Sequence, residues 1–124
     1  MKNMKLEQTD NSPNVILDSL NGLIEFEGKS YPENTFEFYE PINSWLNEYF
    51  SGNCANKTVV NFKLTYFNSS TTQIIFDIFD TICEGEYEEL EVNWFYDSDN
   101  KNGYEDFEDY SDEFPDLNIN AVTY

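Results

Sequence analysis

The sequence of 124 residues contains no arginine and no histidine. Histidine is the usual general base near neutral pH and the commonest protein ligand of transition metals. Arginine supplies the bidentate clamp that is typical of phosphoryl-transfer sites. These absences predict that the chain is not an enzyme, that it has no catalytic or metal-ligating residues and that it needs no cofactor.

Positive charge is scarce in the sequence. Six lysines stand against 25 acidic residues, which gives a formal net charge of −19. A surface with this charge repels nucleic-acid backbones and anionic membranes. We therefore expect neither nucleic acid nor a membrane among the partners.

Cysteines and long apolar runs are also few. Cys54 and Cys83 are isolated from each other, and no CxxC motif is present. Two such thiols fit a reducing compartment. The first ten residues are polar, and no apolar run approaches the length of a membrane span. The sequence predicts a soluble cytoplasmic protein.

Aromatic residues are abundant, with eleven Phe, nine Tyr and two Trp. Disordered acidic chains lack such residues, so the composition favours a folded protein. A chain of this length suffices for one hydrophobic core. We expect a flexible tail over residues 1–12 and a single domain over 13–124.

Hydrophobic periodicity predicts a hairpin followed by alternating helices and strands. The expected hairpin has strands over 15–20 and 23–27 joined by Asn21-Gly22. A helix over 33–50 follows, which begins near Pro32 and is kinked or restarted at Pro41. The remaining expected elements are a strand over 58–66, a helix after 68–72, a strand over 90–96, a helix over 103–113 and a last strand over 117–121. This order predicts an α/β fold with an open mixed, largely parallel sheet. Because its strands are half polar, the helices should lie mainly on one face.

Hydroxyl side chains cluster where a predicted strand meets a predicted helix, in Asn68-Ser69-Ser70-Thr71. Free N–H groups and the positive end of the helix dipole can receive an anion at such a turn. The alternative interpretation is that these hydroxyls only cap the helix, which is common.

Other candidates are weaker. The run from Asp97 to Gly103 resembles a calcium loop, but Lys101 and Asn102 occupy positions that need a ligand and a glycine. The acidic residues of 84–116 can be a solvated face or a docking surface for a basic partner. Trp45, Trp94 and Tyr96 are expected in the core. Two alternatives stay open: an acidic metal-binding or hydrolase domain, and an acidic inhibitor that mimics nucleic acid.

Four short segments occur in one order: Ser30-Tyr31-Pro32-Glu33-Asn34, Tyr66-Phe67-Asn68-Ser69-Ser70, Asp77-Ile78-Phe79-Asp80 and Asn93-Trp94-Phe95-Tyr96-Asp97. They resemble the signature segments of the SiaC family of bacterial regulatory phosphoproteins. The resemblance covers about residues 13–119. It implies a fold similar to the STAS domain of anti-sigma-factor antagonists.

The resemblance also implies a mechanism of partner switching. In the best-known member, a kinase phosphorylates the hydroxyl residue after the Asn of this turn, and a PP2C-type phosphatase removes the phosphate. The unphosphorylated form activates a diguanylate cyclase and so promotes cyclic-di-GMP signalling and biofilm formation. Carried over, the phosphoacceptor is Ser69, which is Thr in that member, with Ser70 and Thr71 as alternates.

A binding surface for the partner follows from the same resemblance. Its members from the strand-to-helix turn are Tyr66, Asn68, Ser69 and Ser70, and the family signature adds Tyr31, Pro32, Glu33 and Asn34. The kinase, the phosphatase and the target protein are the implied partners.

Overall fold

The computed structural model describes every residue from Met1 to Tyr124. The strands are β1 (Met4–Leu6), β2 (Asn14–Asp18), β3 (Leu23–Ser30), β4 (Lys57–Phe67), β5 (Glu89–Tyr96) and β6 (Asn120–Thr123). The helices are α1 (Thr35–Tyr49), α2 (Ser69–Cys83) and α3 (Lys101–Glu113), and a short 3-10 helix spans Pro115–Leu117.

The six strands form one sheet in sequence order, β1-β2-β3-β4-β5-β6. The β1–β2 and β2–β3 pairings are antiparallel, and the three later pairings are parallel. Each parallel pairing is connected through one helix. Crossover connections between parallel strands are right-handed, and here they always lead to the next strand in the same direction across the sheet. All three helices therefore lie on the same face. The predicted mixed, largely parallel sheet with an N-terminal hairpin is confirmed.

The core lies on one side of this sheet. Alternate strand residues and the apolar stripes of the helices form one cluster of 24 buried residues. Phe62 of β4 lies at its centre, with ring centroids 5.1 Å from Phe79 of α2 and 5.6 Å from Trp94 of β5. Tyr110 of α3 packs on the same Trp94 ring at 5.2 Å. The expected one-sided arrangement of the helices follows from these contacts.

The other face of the sheet carries polar side chains in register across four strands. Glu25, Asn61, Asn93 and Asn120 are neighbours in the β3, β4, β5 and β6 pairings. Each asparagine amide donates to the preceding side chain, at 3.1 Å to Glu25, 2.9 Å to Asn61 and 3.1 Å to Asn93. This series of hydrogen bonds satisfies polar groups on a face that no helix covers.

The predicted hairpin around Asn21-Gly22 joins β2 to β3. Gly22 has φ +71, and its carbonyl accepts a hydrogen bond from the Val59 N–H at 2.7 Å. A Cβ atom at this position would lie 2.1 Å from the Lys57 carbonyl oxygen. Glycine is therefore required both by the backbone angle and by the close approach of β4.

Part of the expected flexible tail is a strand. Met4–Leu6 pair with Val15–Leu17 of β2, and the Trp45 indole N–H donates to the Lys2 carbonyl at 2.7 Å. The tail expectation over residues 1–12 therefore needs correction. Contacts with residues distant in sequence hold this segment, and a three-residue strand has too short a pattern to be recognised.

Several predicted boundaries also change. Helix α1 begins at Thr35 with Asn34 as its cap, not near Pro32. It continues without a restart through Pro41, because burial of the apolar stripe on both sides of the proline offsets the missing N–H donor. Leu117 belongs to the 3-10 helix, and the last strand begins only at Asn120, after Asn118 in the left-handed region.

Candidate functional site

The carboxyl ends of β3 and β4 meet at one edge of the sheet because the two strands are parallel. Lys29 pairs with Tyr66 and Ser30 with Phe67. The Asn68 N–H then donates to the Ser30 carbonyl at 3.2 Å. The 31–34 and 66–70 segments, 35 residues apart in sequence, are therefore neighbours in the fold. We call these two segments the switch surface.

Helix α2 begins inside the switch surface with a side-chain cap. The Asn68 carboxamide oxygen accepts from the Thr71 N–H at 2.9 Å. Ser69 is the first helical residue and follows the cap. The sequence interpretation that Ser69 caps this helix is therefore wrong, because Asn68 already fills that position.

The three candidate phosphoacceptors differ in accessibility. Ser69 and Ser70 are exposed, whereas Thr71 has no exposed surface. A kinase must place the hydroxyl in its own active site, so it cannot reach Thr71 without opening the first turn of α2. The geometry favours Ser69 and Ser70 over Thr71 as acceptors.

The buried Thr71 hydroxyl belongs to a group of three, which we call the hydroxyl trio: Ser30, Tyr39 and Thr71. The Ser30 hydroxyl lies 2.7 Å from the Tyr39 hydroxyl and 2.9 Å from that of Thr71. Thr71 also donates to the Ser30 carbonyl at 3.0 Å. Burial raises the pKa of Tyr39 to about 12, so the phenol keeps its proton. The trio joins the end of β3 to both α1 and the first turn of α2.

Exposed aromatic rings flank the exposed serines. The Tyr66 side chain is 55% exposed and Tyr31 38%, and their rings meet edge to face with centroids 5.7 Å apart. The Tyr31 hydroxyl donates to the Asp10 carbonyl at 2.8 Å, which fixes that ring. Such half-exposed tyrosines are typical anchors of protein interfaces.

The remaining members of the switch surface are polar or partly covered. Glu33 and Asn34 are exposed and Pro32 is half-buried. The Asn34 carboxamide oxygen accepts from the Glu37 N–H at 3.0 Å and caps α1. Phe36 precedes the buried Tyr39 and Ile42 at helical spacing, yet it is 71% exposed in the first turn of α1. Its position in the first turn, ahead of the buried stripe, was the only signal for this exposure.

Substitutions at the start of α2 should separate the cap from the candidate acceptor. Asn68→Ala is expected to lower the free energy of unfolding by about 1 kcal/mol, because the Thr71 N–H loses its partner. Ser69→Ala is expected to change it by less than about 0.5 kcal/mol, since the serine is exposed and is not the cap. Urea denaturation of both variants and the wild type measures the difference. A larger loss for Ser69→Ala than for Asn68→Ala would contradict this assignment.

The 97–103 run forms the connection into α3. The Asp97 carboxylate accepts from the Asp99 N–H at 2.9 Å, and Asn100 caps α3 through the Asn102 and Gly103 N–H groups.

The structure contains no group of three or more His, Cys, Asp or Glu side chains placed to hold a metal ion. No helix is both long and apolar enough to cross a membrane. Trp45 and Trp94 are buried as expected, and Tyr96 is half-buried.

One carboxylate of α3 has a strongly altered pKa. Partial burial, with Asp109 and Glu105 nearby, raises the pKa of Asp106 to about 6. The folded protein therefore holds this proton more tightly than the unfolded chain does. Ionised Asp106 lowers stability above pH 6, and this penalty disappears as the pH falls towards the ordinary carboxyl pKa of about 4.

Removing this charge should stabilise the protein in a pH-dependent way. Asp106→Asn is expected to raise the free energy of unfolding by about 1 kcal/mol at pH 7.5, a value reduced for solvent screening of a half-buried group. Near pH 4 the variant and the wild type should be equally stable. Glu108→Gln, an exposed neighbour on the same helix, serves as the control. An equal gain at both pH values would contradict the role of ionisation.

Comparison with known proteins identifies the class. The model of the SiaC family regulatory phosphoproteins matches residues 6–124. The chain belongs to the SiaC family, as its four signature segments predict, and is therefore a regulatory phosphoprotein. It is also 26% identical over 103 residues to an uncharacterised protein of Pseudomonas aeruginosa strain UCBPP-PA14, covering 82% of this chain and 81% of that one.

Solved structures from Pseudomonas aeruginosa share the fold. A chain in the crystal structure of the diguanylate cyclase SiaD in complex with its activator SiaC aligns with a TM-score of 0.85 and 21% identity, over 98% of this chain and 99% of that one. The structure of apo-SiaC aligns with a TM-score of 0.76 and 20% identity, over 99% and 98%.

Proposed function

We propose that this chain is a non-enzymatic, cytoplasmic switch that binds and activates a diguanylate cyclase only while Ser69 is unphosphorylated. A protein kinase modifies Ser69, and a PP2C-type phosphatase restores the free hydroxyl. The observation that carries the proposal is the exposed Ser69 on the switch surface, in the first turn of α2 and beside the exposed Tyr66 and Tyr31 rings. Membership of a family of regulatory phosphoproteins supports it.

The choice of cyclase as partner is supported by the relative of the same fold. That protein, SiaC, is the activator in a complex with the diguanylate cyclase SiaD. An acidic chain with net charge −19 favours a partner whose docking surface is basic, since opposite charge speeds encounter.

Phosphorylation would act through local charge. A phosphate adds nearly two negative charges at Ser69 and leaves the Asn68 cap in place. The positive end of the α2 dipole tolerates an anion there in the free protein. Inside an interface the same anion must be desolvated, which costs several kcal/mol where no cation of the partner faces Ser69 itself. Binding is therefore lost while the fold is kept.

The test uses wild type, Ser69→Ala and Ser69→Asp immobilised in equal amounts and exposed to cytosol of the host organism. The bound fraction is assayed for cyclic-di-GMP synthesis from GTP, and peptide mass spectrometry locates phosphate on protein recovered from cells. We expect cyclase activity on wild type and Ser69→Ala, little on Ser69→Asp, and phosphate on Ser69.

Ser70→Asp provides the matched control, because it places the same charge on the adjacent exposed residue. Loss of cyclase with Ser70→Asp and retention with Ser69→Asp would move the acceptor to Ser70. Equal cyclase activity on all variants would refute the switch.

A further inference from the structure

A cavity of about 560 Å³ opens at the carboxyl ends of β4 and β5, beside the switch surface. Much of its wall is aromatic, with Tyr66, Trp94 and Tyr96 among the lining residues. Tyr66 belongs both to this cavity and to the switch surface. A partner that covers the switch surface therefore also reaches the mouth of the cavity.

The charge inside the cavity has one sign. Asp97 and Asp106 contribute carboxylates, and no lysine is among the lining residues. The three salt bridges of the structure involve only Lys57 and Lys63, so neither aspartate has a cationic partner. Partial burial together with Asp109 and Glu105 raises the pKa of Asp106, which shows that its charge is poorly compensated in the free protein.

The N-termini of the neighbouring helices do not change the negative sign of the charge in the cavity. The first turns of α2 and α3 both lie near the cavity, and free N–H groups at such termini attract anions. Here the Asn68 side chain already accepts a hydrogen bond from the Thr71 N–H, and the Asn100 side chain accepts hydrogen bonds from the Asn102 and Gly103 N–H groups. The two full carboxylate charges therefore dominate the field in the cavity.

We propose that this cavity accepts one basic side chain, Arg or Lys, from the partner protein. This inference rests on the proposed function only for the identity of the partner. Aromatic faces attract a cation and cover its aliphatic stem, while a partly desolvated carboxylate supplies the ion pair. Asp106 destabilises the free chain, and an arriving cation removes that penalty. A divalent metal fits less well, since Asp97 and Asp106 are only two carboxylates and the structure contains no group of three or more His, Cys, Asp or Glu side chains placed to hold a metal ion.

The first arm of the test needs no partner and no phosphate. The ¹⁵N-labelled full chain is titrated at pH 7.5 with Nα-acetyl-arginine amide and, separately, with the uncharged Nα-acetyl-citrulline amide. The measured signal is the NMR chemical shift of the Trp94 indole N–H. This group donates a hydrogen bond to the Gly103 carbonyl at 3.1 Å, which places it at the cavity. A Trp45→Phe variant makes the assignment unambiguous. We expect saturable shifts with arginine and weaker, non-saturating ones with citrulline.

Matched variants separate a specific ion pair from general charge. Asp106→Asn should weaken arginine binding about tenfold, the value for loss of one charge-assisted hydrogen bond. Glu108→Gln removes the same charge from the same helix outside the cavity and should leave the affinity unchanged. Equal shifts with citrulline, or equal losses in both variants, would overturn the cation site.

The second arm measures the affinity of the captured cyclase for the unphosphorylated variants. Asp106→Asn should weaken it about tenfold, and Glu108→Gln should not. Arginine binding with unchanged cyclase affinity would overturn the assignment to a partner side chain and leave a site for free cations. Failure of the Ser69 switch would not alter the first arm, so the two proposals fail separately.

Discussion

Replacing Tyr66 by alanine is expected to weaken binding of the cyclase about thirtyfold, which corresponds to about 2 kcal/mol for an aromatic anchor. Tyr66 is more than half exposed and packs against Tyr31 beside the candidate phosphoacceptor. Its ring can be covered by a partner without any rearrangement of the core. Titration calorimetry with purified cyclase and unphosphorylated chain measures the change.

Tyr87→Ala is the matched control for this prediction. Tyr87 is 37% exposed, but it lies between α2 and β5, at the opposite edge of the sheet from the switch surface. Its loss should change cyclase affinity by less than about twofold, as for most interface-remote surface positions. A similar weakening by Tyr66→Ala and Tyr87→Ala would remove Tyr66 from the interface.

Gly22→Ala is expected to lower the free energy of unfolding by about 3 kcal/mol. The left-handed backbone angle alone costs about 1 kcal/mol for alanine, and displacement of the β4 backbone adds the rest. The added Cβ would lie 2.1 Å from the Lys57 carbonyl oxygen, which cannot move without disturbing the start of β4. Chemical denaturation monitored by tryptophan fluorescence gives the value.

Gly22→Asn distinguishes the two contributions. Asparagine tolerates the left-handed region well, so it would restore most of the stability if the backbone angle were the main cost. It still carries a Cβ, and the close carbonyl at position 57 remains. We expect Gly22→Asn to be almost as unstable as Gly22→Ala. A clear rescue by asparagine would show that β4 yields easily at this point.

The alternating pattern of the central strands made most of the fold predictable. Val60, Phe62 and Leu64 are buried on one face, and Asn61 and Lys63 lie on the other, as the sequence from 58 to 66 indicates. A strand with one polar face cannot be covered by helices on both sides. The one-sided architecture was therefore available from periodicity alone.

Features that depend on distant contacts were not predictable in this way. The burial of Thr71 depends on Ser30, 41 residues earlier, and the placement of β1 depends on β2 and Trp45. Local sequence treated Ser69, Ser70 and Thr71 as equivalent hydroxyls. Only the fold separates two exposed residues from a buried one. The raised pKa of Asp106 likewise depends first on partial burial by the packing of α3, to which the neighbouring carboxylates Asp109 and Glu105 add, and burial cannot be read from the acidic composition alone.

The switch surface was located through family resemblance more than through physical pattern. An Asn followed by serines predicts a helix cap in any protein. The approach of the 31–34 turn follows from parallel pairing of β3 with β4, which the alternation of strands and helices implies. The exposure of Phe36 was not predictable from its helical spacing, because this residue lies in the first turn of α1, ahead of the buried residues that begin at Tyr39.

The hydroxyl trio has a consequence for the speed of signalling. Hydrogen bonds join Thr71 in the first turn of α2 to Ser30, and Ser30 to Tyr39 of α1. The backbone that carries Ser69 is therefore held in one position. A phosphate on Ser69 is expected neither to move a hinge nor to unfold the first turn of α2, because the Asn68 cap and the hydroxyl trio remain intact. Amide shifts on phosphorylation should stay within the switch surface and leave β3 and α1 unchanged. Such a switch needs no conformational rearrangement of its own, so we expect its speed to be set by the addition and removal of phosphate and by the association and dissociation of the partner.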